Sequence, residues 1–217
     1  MRNMGSPSGV GALTRPGLAY AHLNLRCNPF GELDLAQRAE LAVVDVDHVV
    51  RRLGQPGYAV QFMGERGQGK TTHLLAIRRQ LPGTAYVHVA ETGRTGIPEG
   101  PVLLIDEIQR LGSGQRRHLF RPERSLALGT HEDFCRELGR AGFEVETVAV
   151  AEAVDAVRLR EILARRIERA RRGPGPVPEV SLETARALLE RFGGDIRAVE
   201  WHLYDWIQTL GDGHVQV

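Results

Sequence analysis

The sequence predicts an α/β protein, a parallel sheet sandwiched by helices and followed by a small all-helical C-terminal subdomain. Three observations carry this. The apolar run at residues 58–63 (YAVQFM) enters a glycine-rich loop directly, and a helical pattern follows it. A second run, residues 102–105 (VLLI), is continuously apolar, as expected of a strand buried on both faces of a parallel sheet. After Val150 the period-2 pattern stops and helical spacing takes over.

Each element follows in order. Residues 1–17, rich in Gly, Ser and Pro, lack the apolar segment of a signal peptide and read as a loose tail, placed in all at residues 1–22. Residues 23–31 (LNLRCNPFG) read as extended, with a turn at Asn28-Pro29. Residues 33–53 read as one helix, because Leu41, Val44, Val49 and Leu53 recur at roughly helical spacing and Gly54 closes it. Pro56-Gly57 turns the chain into the strand at 58–63. The helix after the glycine loop spans 71–81 and is broken by Pro82-Gly83. Residues 84–90 (TAYVHVA) form a second strand, 91–100 a glycine-containing loop, and 102–105 the buried strand. Residues 108–125 are irregular and basic, with one helix around 115–120. A strand at 126–130 (LALGT), a helix at 132–141 and a strand at 143–150 complete an α/β core over residues 23–150. The lid, residues 151–217, opens with a helix at 153–171 that sets Val154, Val157, Ile162 and Ile167 near one face. Residues 173–178 (GPGPVP) are a linker. Ser181 opens the next helix in a capping pattern with Thr184 in the place usually held by Glu, and Glu183 beside it. Gly193-Gly194 ends that helix, and Asp195 caps a last one to about Leu210.

Bulk properties narrow the function classes. The 217 residues suffice to bury a core, and 42% hydrophobic with 25% charged residues is the mix of an ordinary soluble protein. A formal net charge of +1 gives no general pull toward nucleic acid or a membrane surface. No apolar run approaches the ~20 residues that span a bilayer, so the expected location is cytoplasmic. Cys27 and Cys135 lie far apart, form no CxxC pair, and are expected to be reduced, partly buried thiols. Of the 28 basic residues, Lys70 is the only lysine. A codon bias explains the arginines and makes the surviving lysine informative, since a flexible ammonium suits a phosphate loop where a planar guanidinium does not.

The chemistry concentrates in two motifs. Gly64, Glu65, Arg66, Gly67, Gln68, Gly69, Lys70 and Thr71 fit G-x-x-x-x-G-K-[ST] in full, between a strand and a helix, with Thr72 next in line. The glycines let backbone N–H groups turn toward phosphates, Lys70 reaches the β- and γ-phosphates, and the Thr71 hydroxyl is placed to ligate Mg²⁺. The helix N-terminus adds partial positive charge. The strand at 102–105 ends in Asp106 and Glu107. Asp106 at a strand tip can hold Mg²⁺, largely through water, and Glu107 can polarise an attacking water. Alone, this would be a buried strand capped by solvated acids. With the phosphate loop upstream it reads as a metal and water site. Thr130 ends another strand, where a polar residue can touch the γ-phosphate or simply make a turn.

Together these motifs resemble the AAA+ ATPases, P-loop NTPases, and in particular the small members related to initiator, clamp-loader and transposon-regulator ATPases. The order matches over about residues 23–210: Asn28-Pro29-Phe30 before a helix, Walker A at 64–71, Walker B at 102–107, sensor 1 at Thr130, and Gly194-Asp195-Ile196-Arg197 opening a late lid helix. The resemblance implies that Asn28 and Phe30 lie near the adenine and that Arg197 is a sensor-2 arginine reporting the γ-phosphate. It also implies that an arginine on the helix after Thr130 acts on a neighbouring subunit's ATP, Arg140 being favoured over Arg136. The chain departs from the family in three ways. Only about ten residues join the strands at 84–90 and 102–105, the lid has three helices rather than four, and sensor 1 is Thr rather than Asn. The short connection, bridgeable at ~3.3 Å per extended residue, argues against a protein unfoldase.

The leading expectation is therefore an ATP hydrolase using ATP and Mg²⁺ as a switch or assembly factor. It would self-associate on ATP binding and act on a protein partner, or on DNA. A nucleotide-binding scaffold that hardly hydrolyses is the alternative, and a small-molecule P-loop kinase a weaker one. A GTPase is excluded, since the Asn-Lys-x-Asp base motif needs a second lysine. The segment Arg116, Arg117, Arg121 and Arg124 is a candidate nucleic-acid contact, against the plainer reading of a solvated loop.

Overall fold

A computed structural model describes residues 19–92, 95–151 and 154–212. The tail expected at residues 1–22 falls outside them up to residue 18, as does the start of the helix expected at 153. Five strands form one parallel sheet: β1 (Tyr58–Met63), β2 (Ala85–His88), β3 (Val102–Asp106), β4 (Ser125–Thr130) and β5 (Glu144–Ala149), in the spatial order β2-β3-β4-β1-β5. Register aligns Met63 with Thr130 and Gly129 with Asp106, so the chain leaves β1, β3 and β4 at one carboxyl edge. Ligands of open parallel sheets bind at that edge.

Side-chain alternation divides the core into two layers. Tyr58, Val60, Phe62, Leu104 and Ala127 face α2 (Asp47–Leu53) and α3 (Lys70–Gln80). Ala59, Leu103, Ile105, Leu126 and Leu128 face α4 (Ser113–Leu119) and α5 (Cys135–Arg140). Each fully buried Leu, Ile or Phe contributes about 1.5–3 kcal/mol, so both layers hold the sheet firmly. The helices on both faces and the C-terminal helices after them are the α/β architecture expected from the sequence.

The single helix expected over residues 33–53 is instead two. α1 (Leu35–Glu40) is opened by a capping box, in which the Asp34 side chain accepts from Gln37 N–H at 2.8 Å and Gln37 accepts from Asp34 N–H at 3.3 Å. Residues 41–46 (LAVVDV) carry three valines, whose branched side chains disfavour helix. Asp45 then accepts from Asp47 N–H at 3.1 Å and the chain restarts as α2. α5 likewise begins later than expected, because Thr130 folds its hydroxyl onto Glu132.

The C-terminal helices α6 (Ala156–Ala170), α7 (Leu182–Phe192) and α8 (Ile196–Asp212) share a third core. α6 buries Leu159, Leu163 and Ile167; Val157, expected inward, is 55% exposed. Ser181 accepts from Thr184 N–H at 3.0 Å and Asp195 from Ala198 N–H at 3.0 Å, the caps read in the sequence. Tyr20, Leu23, Leu25 and Phe30 join this core rather than the sheet. Arg166, 4% exposed, fastens that segment by donating to the carbonyls of Pro29 and Gly31 and to Glu200. Cys27 and Cys135 are both exposed free thiols, not partly buried, because each sits on a turn or first helical position facing outward.

Candidate functional site

The loop from Gly64 to Gly69 joins β1 to α3 at the carboxyl edge. Gly67 (φ +89°) and Gly69 (φ +99°) occupy the left-handed region, where a side chain is strained. His73 is buried, stacks on Phe62 at 4.8 Å and donates from Nδ1 to the Gly69 carbonyl at 3.0 Å. Burial lowers its pKa, so it stays neutral and works as a clamp on the loop. Gln68 Oε1 accepts from Glu65 N–H at 2.6 Å, closing the loop on itself, while Glu65 and Arg66 are exposed. Lys70 is buried, and its Nζ donates to the carbonyls of Gly64 (2.8 Å) and Glu65 (2.9 Å). Desolvation lowers its pKa, against the raising effect of Glu107, Asp106 and Glu65.

Thr71 and Asp106 meet across the sheet edge. Thr71 Oγ1 donates to Asp106 Oδ2 at 2.7 Å. Asp106 is fully buried, and His88 Nδ1 (3.3 Å) and the Tyr86 hydroxyl (3.4 Å) approach the same oxygen. A Cβ on Gly129, its neighbour on β4, would stand 2.4 Å from Asp106 Oδ1, so only glycine there leaves room for the carboxylate. Oδ1 is buried without a protein partner. An oxygen-only set of one carboxylate and one hydroxyl, with an orphaned carboxylate oxygen, suits Mg²⁺, which keeps waters and takes phosphate oxygens for the rest. Among the described residues no cluster of three or more His, Cys, Asp or Glu is arranged to hold a metal by protein ligands alone.

Glu107 adopts φ +61°, the left-handed region that costs a non-glycine residue about 1–2 kcal/mol. One of its oxygens is engaged. Oε2 accepts from Gln109 (2.8 Å) and faces Arg110 (3.2 Å), and Oε1 lies 3.4 Å from His131 Nε2. Arg110 also binds the Val89 carbonyl (2.8 Å) and Glu91 (3.0 Å).

Thr130 does not point into the cleft: it is fully buried, donating to the Glu132 carbonyl (2.7 Å) and accepting from Glu132 N–H (2.9 Å). The next residue, His131, fills the place instead, with Nε2 3.2 Å from Lys70 Nζ and Nδ1 3.7 Å from Glu65. Its position is set by Gln61, the one polar residue in the apolar run of β1. Gln61 is fully buried, donates to Asp133 (2.6 Å) and Thr147 (2.8 Å), and accepts from Phe134 N–H (2.9 Å). The sequence carries a signal for it, since an amide in a strand buried on both faces needs partners.

The C-terminal helices close the cleft from above. A Cβ on Gly67 would stand 2.1 Å from Asp195 Oδ1 and 3.3 Å from Arg197 Cβ, so the loop touches the start of α8. Arg197 is exposed and lines a cavity of about 510 Å³, together with residues 66–72 and Glu107. That size suits a small-molecule ligand. Part of the cavity lining is apolar, built by Leu33, Leu41, Val43, Val44, Ile162 and Ile196. Asn28 and Phe30 do not reach it: Asn28 Nδ2 donates to the Tyr204 carbonyl at 2.9 Å, and Phe30 is buried in the helical core. The residues expected in the helix at 33–53 take their place. Arg140 is exposed at the end of α5, where the chain turns back to pair Glu144 with Tyr58, at the opposite edge of the sheet; Arg136 is exposed one turn earlier. Arg116 is engaged in the fold, bound to Glu137 (3.2 Å) and over the Phe134 ring (5.0 Å), whereas Arg117 and Arg121 are exposed. Among the described residues no helix is long and apolar enough to cross a membrane.

No protein-family model and no curated protein matches the chain. Among solved structures it is similar to the Holliday junction branch migration motor RuvB of Thermotoga maritima, at 21% identity and a TM-score of 0.49, over 80% of this chain and 60% of that one. A substituted form of the same protein matches at 19% identity and a TM-score of 0.48, with the same coverage. The chain thus spans about 60% of the length of these structures. Its resemblance to the AAA+ ATPases rests on its own motifs and on their meeting at one edge of an α/β parallel sheet, beneath three C-terminal helices.

Proposed function

We propose that this chain is an ATP hydrolase of the AAA+ kind. It holds ATP and Mg²⁺ between the carboxyl edge of the sheet and the C-terminal helices, and uses them as a switch on a protein or DNA partner. The observation that carries this is the 2.7 Å contact of Thr71 with the buried Asp106, beside the only lysine of the chain. Residues from the first turn of α3 and the tip of β3, distant in sequence, converge there on the donor set that a phosphate-bound cation needs. The loop N–H groups and Lys70 would receive the β- and γ-phosphates, Lys70 exchanging its loop carbonyls for phosphate oxygens. The apolar part of the lining would take the base. Mg²⁺, held by Thr71 and Asp106, would neutralise charge on the phosphates. Glu107 would orient the attacking water, and His131 rather than Thr130 would stand nearest the γ-phosphate. Arg197 would answer from α8. Arg140, remote from its own cleft, would act only on the nucleotide of a second copy, which requires self-association in the presence of ATP.

One observation favours slow basal turnover, the scaffold-like alternative. A base must offer a free oxygen to water, and one oxygen of Glu107, Oε2, is taken by Gln109 and Arg110. Steady-state phosphate release from wild type and Glu107→Gln tests the reading. A fall of at least about 10² is expected for loss of the group that positions water. Equal rates would remove the hydrolytic assignment, and tight ATP binding by Lys70→Ala would remove the site.

A further inference from the structure

The helical wall of the cleft carries an ion cluster that the phosphate chemistry does not use. α8 begins against the phosphate loop at Asp195, and Arg197 lines the cleft beside Gly67. Glu200 lines the same cleft. Three residues on at 1.5 Å rise, it stands about 4.5 Å further along the axis, on the same side of the helix. Glu200 is therefore about one turn further from the start of α8 than Arg197, and Ile162 of α6 lines the same cleft. A nucleotide laid from the glycine loop to the apolar lining passes its sugar along this wall.

The carboxylate is held in place. Arg166, itself 4% exposed and tied to the Pro29 and Gly31 carbonyls, donates to Glu200 Oε1 at 3.0 Å. Among the described residues, Oε2 takes no hydrogen bond. Arg38 lines the cleft too, and its Nε is buried without a partner. Burial pushes the Glu200 carboxyl up, and Arg166, Arg38 and Arg197 pull it down. A carboxylate accepts only, and the Glu200 side chain is part-exposed, so this oxygen is open to accept from water or from a ligand group that donates. Neither the phosphates nor Mg²⁺ donates a hydrogen bond. The sugar hydroxyls, next to the phosphates, do, as does the amino group of an adenine base beyond them.

We infer that Glu200 reads the ribose: its Oε2 accepts from the sugar hydroxyls, the 2′-hydroxyl included, while Arg166 holds it in register, so that the cleft prefers ribonucleotides. This rests on the cleft being the ATP site. Calorimetric titration of the full chain with ATP and with 2′-deoxy-ATP, in Mg²⁺, tests it. A hydrogen bond to a charged acceptor predicts about tenfold weaker binding of the deoxynucleotide to wild type. Glu200→Ala should bring the two nucleotides within about twofold. Glu200→Gln, which keeps the shape and one acceptor beside Arg166, should keep the fold and lie between. Equal affinities in wild type overturn the inference whatever the variants do, as does a preference that survives in Glu200→Ala. If wild type binds neither nucleotide, the ATP site itself is refuted, a result distinct from both.

Discussion

Replacing Gly67 with alanine tests the contact that joins the phosphate loop to the C-terminal helices. Two costs follow from the structure. Alanine at φ +89° is held in the left-handed region, at about 1–2 kcal/mol. Its Cβ would also stand 2.1 Å from Asp195 Oδ1, which is not a free end, since it accepts from Ala198 N–H at 3.0 Å as the cap of α8. Moving it away sacrifices the cap, worth about 1 kcal/mol. Gly67→Ala should therefore lose about 2–3 kcal/mol in urea denaturation. In an Asp195→Ala background the cap is already gone and the space is open, so the same substitution should cost only the backbone strain. The double-mutant cycle then yields a coupling of about 1 kcal/mol between the two positions. Singles that add to within about 0.3–0.5 kcal/mol would refute the contact, and with it the closure of the helical subdomain on the loop.

Two further outcomes are expected. Gln61→Leu strands the buried N–H of Phe134 and releases Asp133 and Thr147, which should cost about 1–3 kcal/mol in denaturant unfolding; kcat should fall more than ATP affinity, since the segment carrying His131 is untethered. Arg110→Ala removes from Glu107 Oε2 a partly exposed ion pair worth up to about 1 kcal/mol, leaving that oxygen bound by Gln109 alone. Basal kcat should rise by up to about fivefold, with ATP affinity unchanged; a lower kcat would mean that Arg110 supports Glu107 rather than restrains it.

The elements that hold the phosphate site were legible because their information is local. A strand, a turn that only glycine can make and a helix start are written in consecutive residues from Tyr58 to Gln80, and Asp106 and Glu107 follow their strand without a gap. The apolar lining of the cleft was not legible. Leu41 and Val44 have helical spacing with Val49 and Leu53, and the spacing hid the Asp34-x-x-Gln37 box that starts one short helix and the valine run that ends it. The off-by-one between Thr130 and His131 has the same origin. Which of two adjacent polar residues faces the cleft depends on the turn at Glu132 and on Gln61, 70 positions upstream of His131.

By itself, then, the sequence determined the α/β class, the strands, the phosphate loop and the acidic strand tip. Hydrophobic period and glycine stereochemistry act within a few residues and need no partner. Only the tertiary structure decided which side chains share the cleft. It put Thr71 against Asp106, drew Glu200 and Arg166 to the helical wall, and moved Asn28 and Phe30 out to the helical core. These placements depend on buried charges and amides finding partners from distant segments, because an unpartnered one is too costly to bury, and such pairings leave no local trace in the chain.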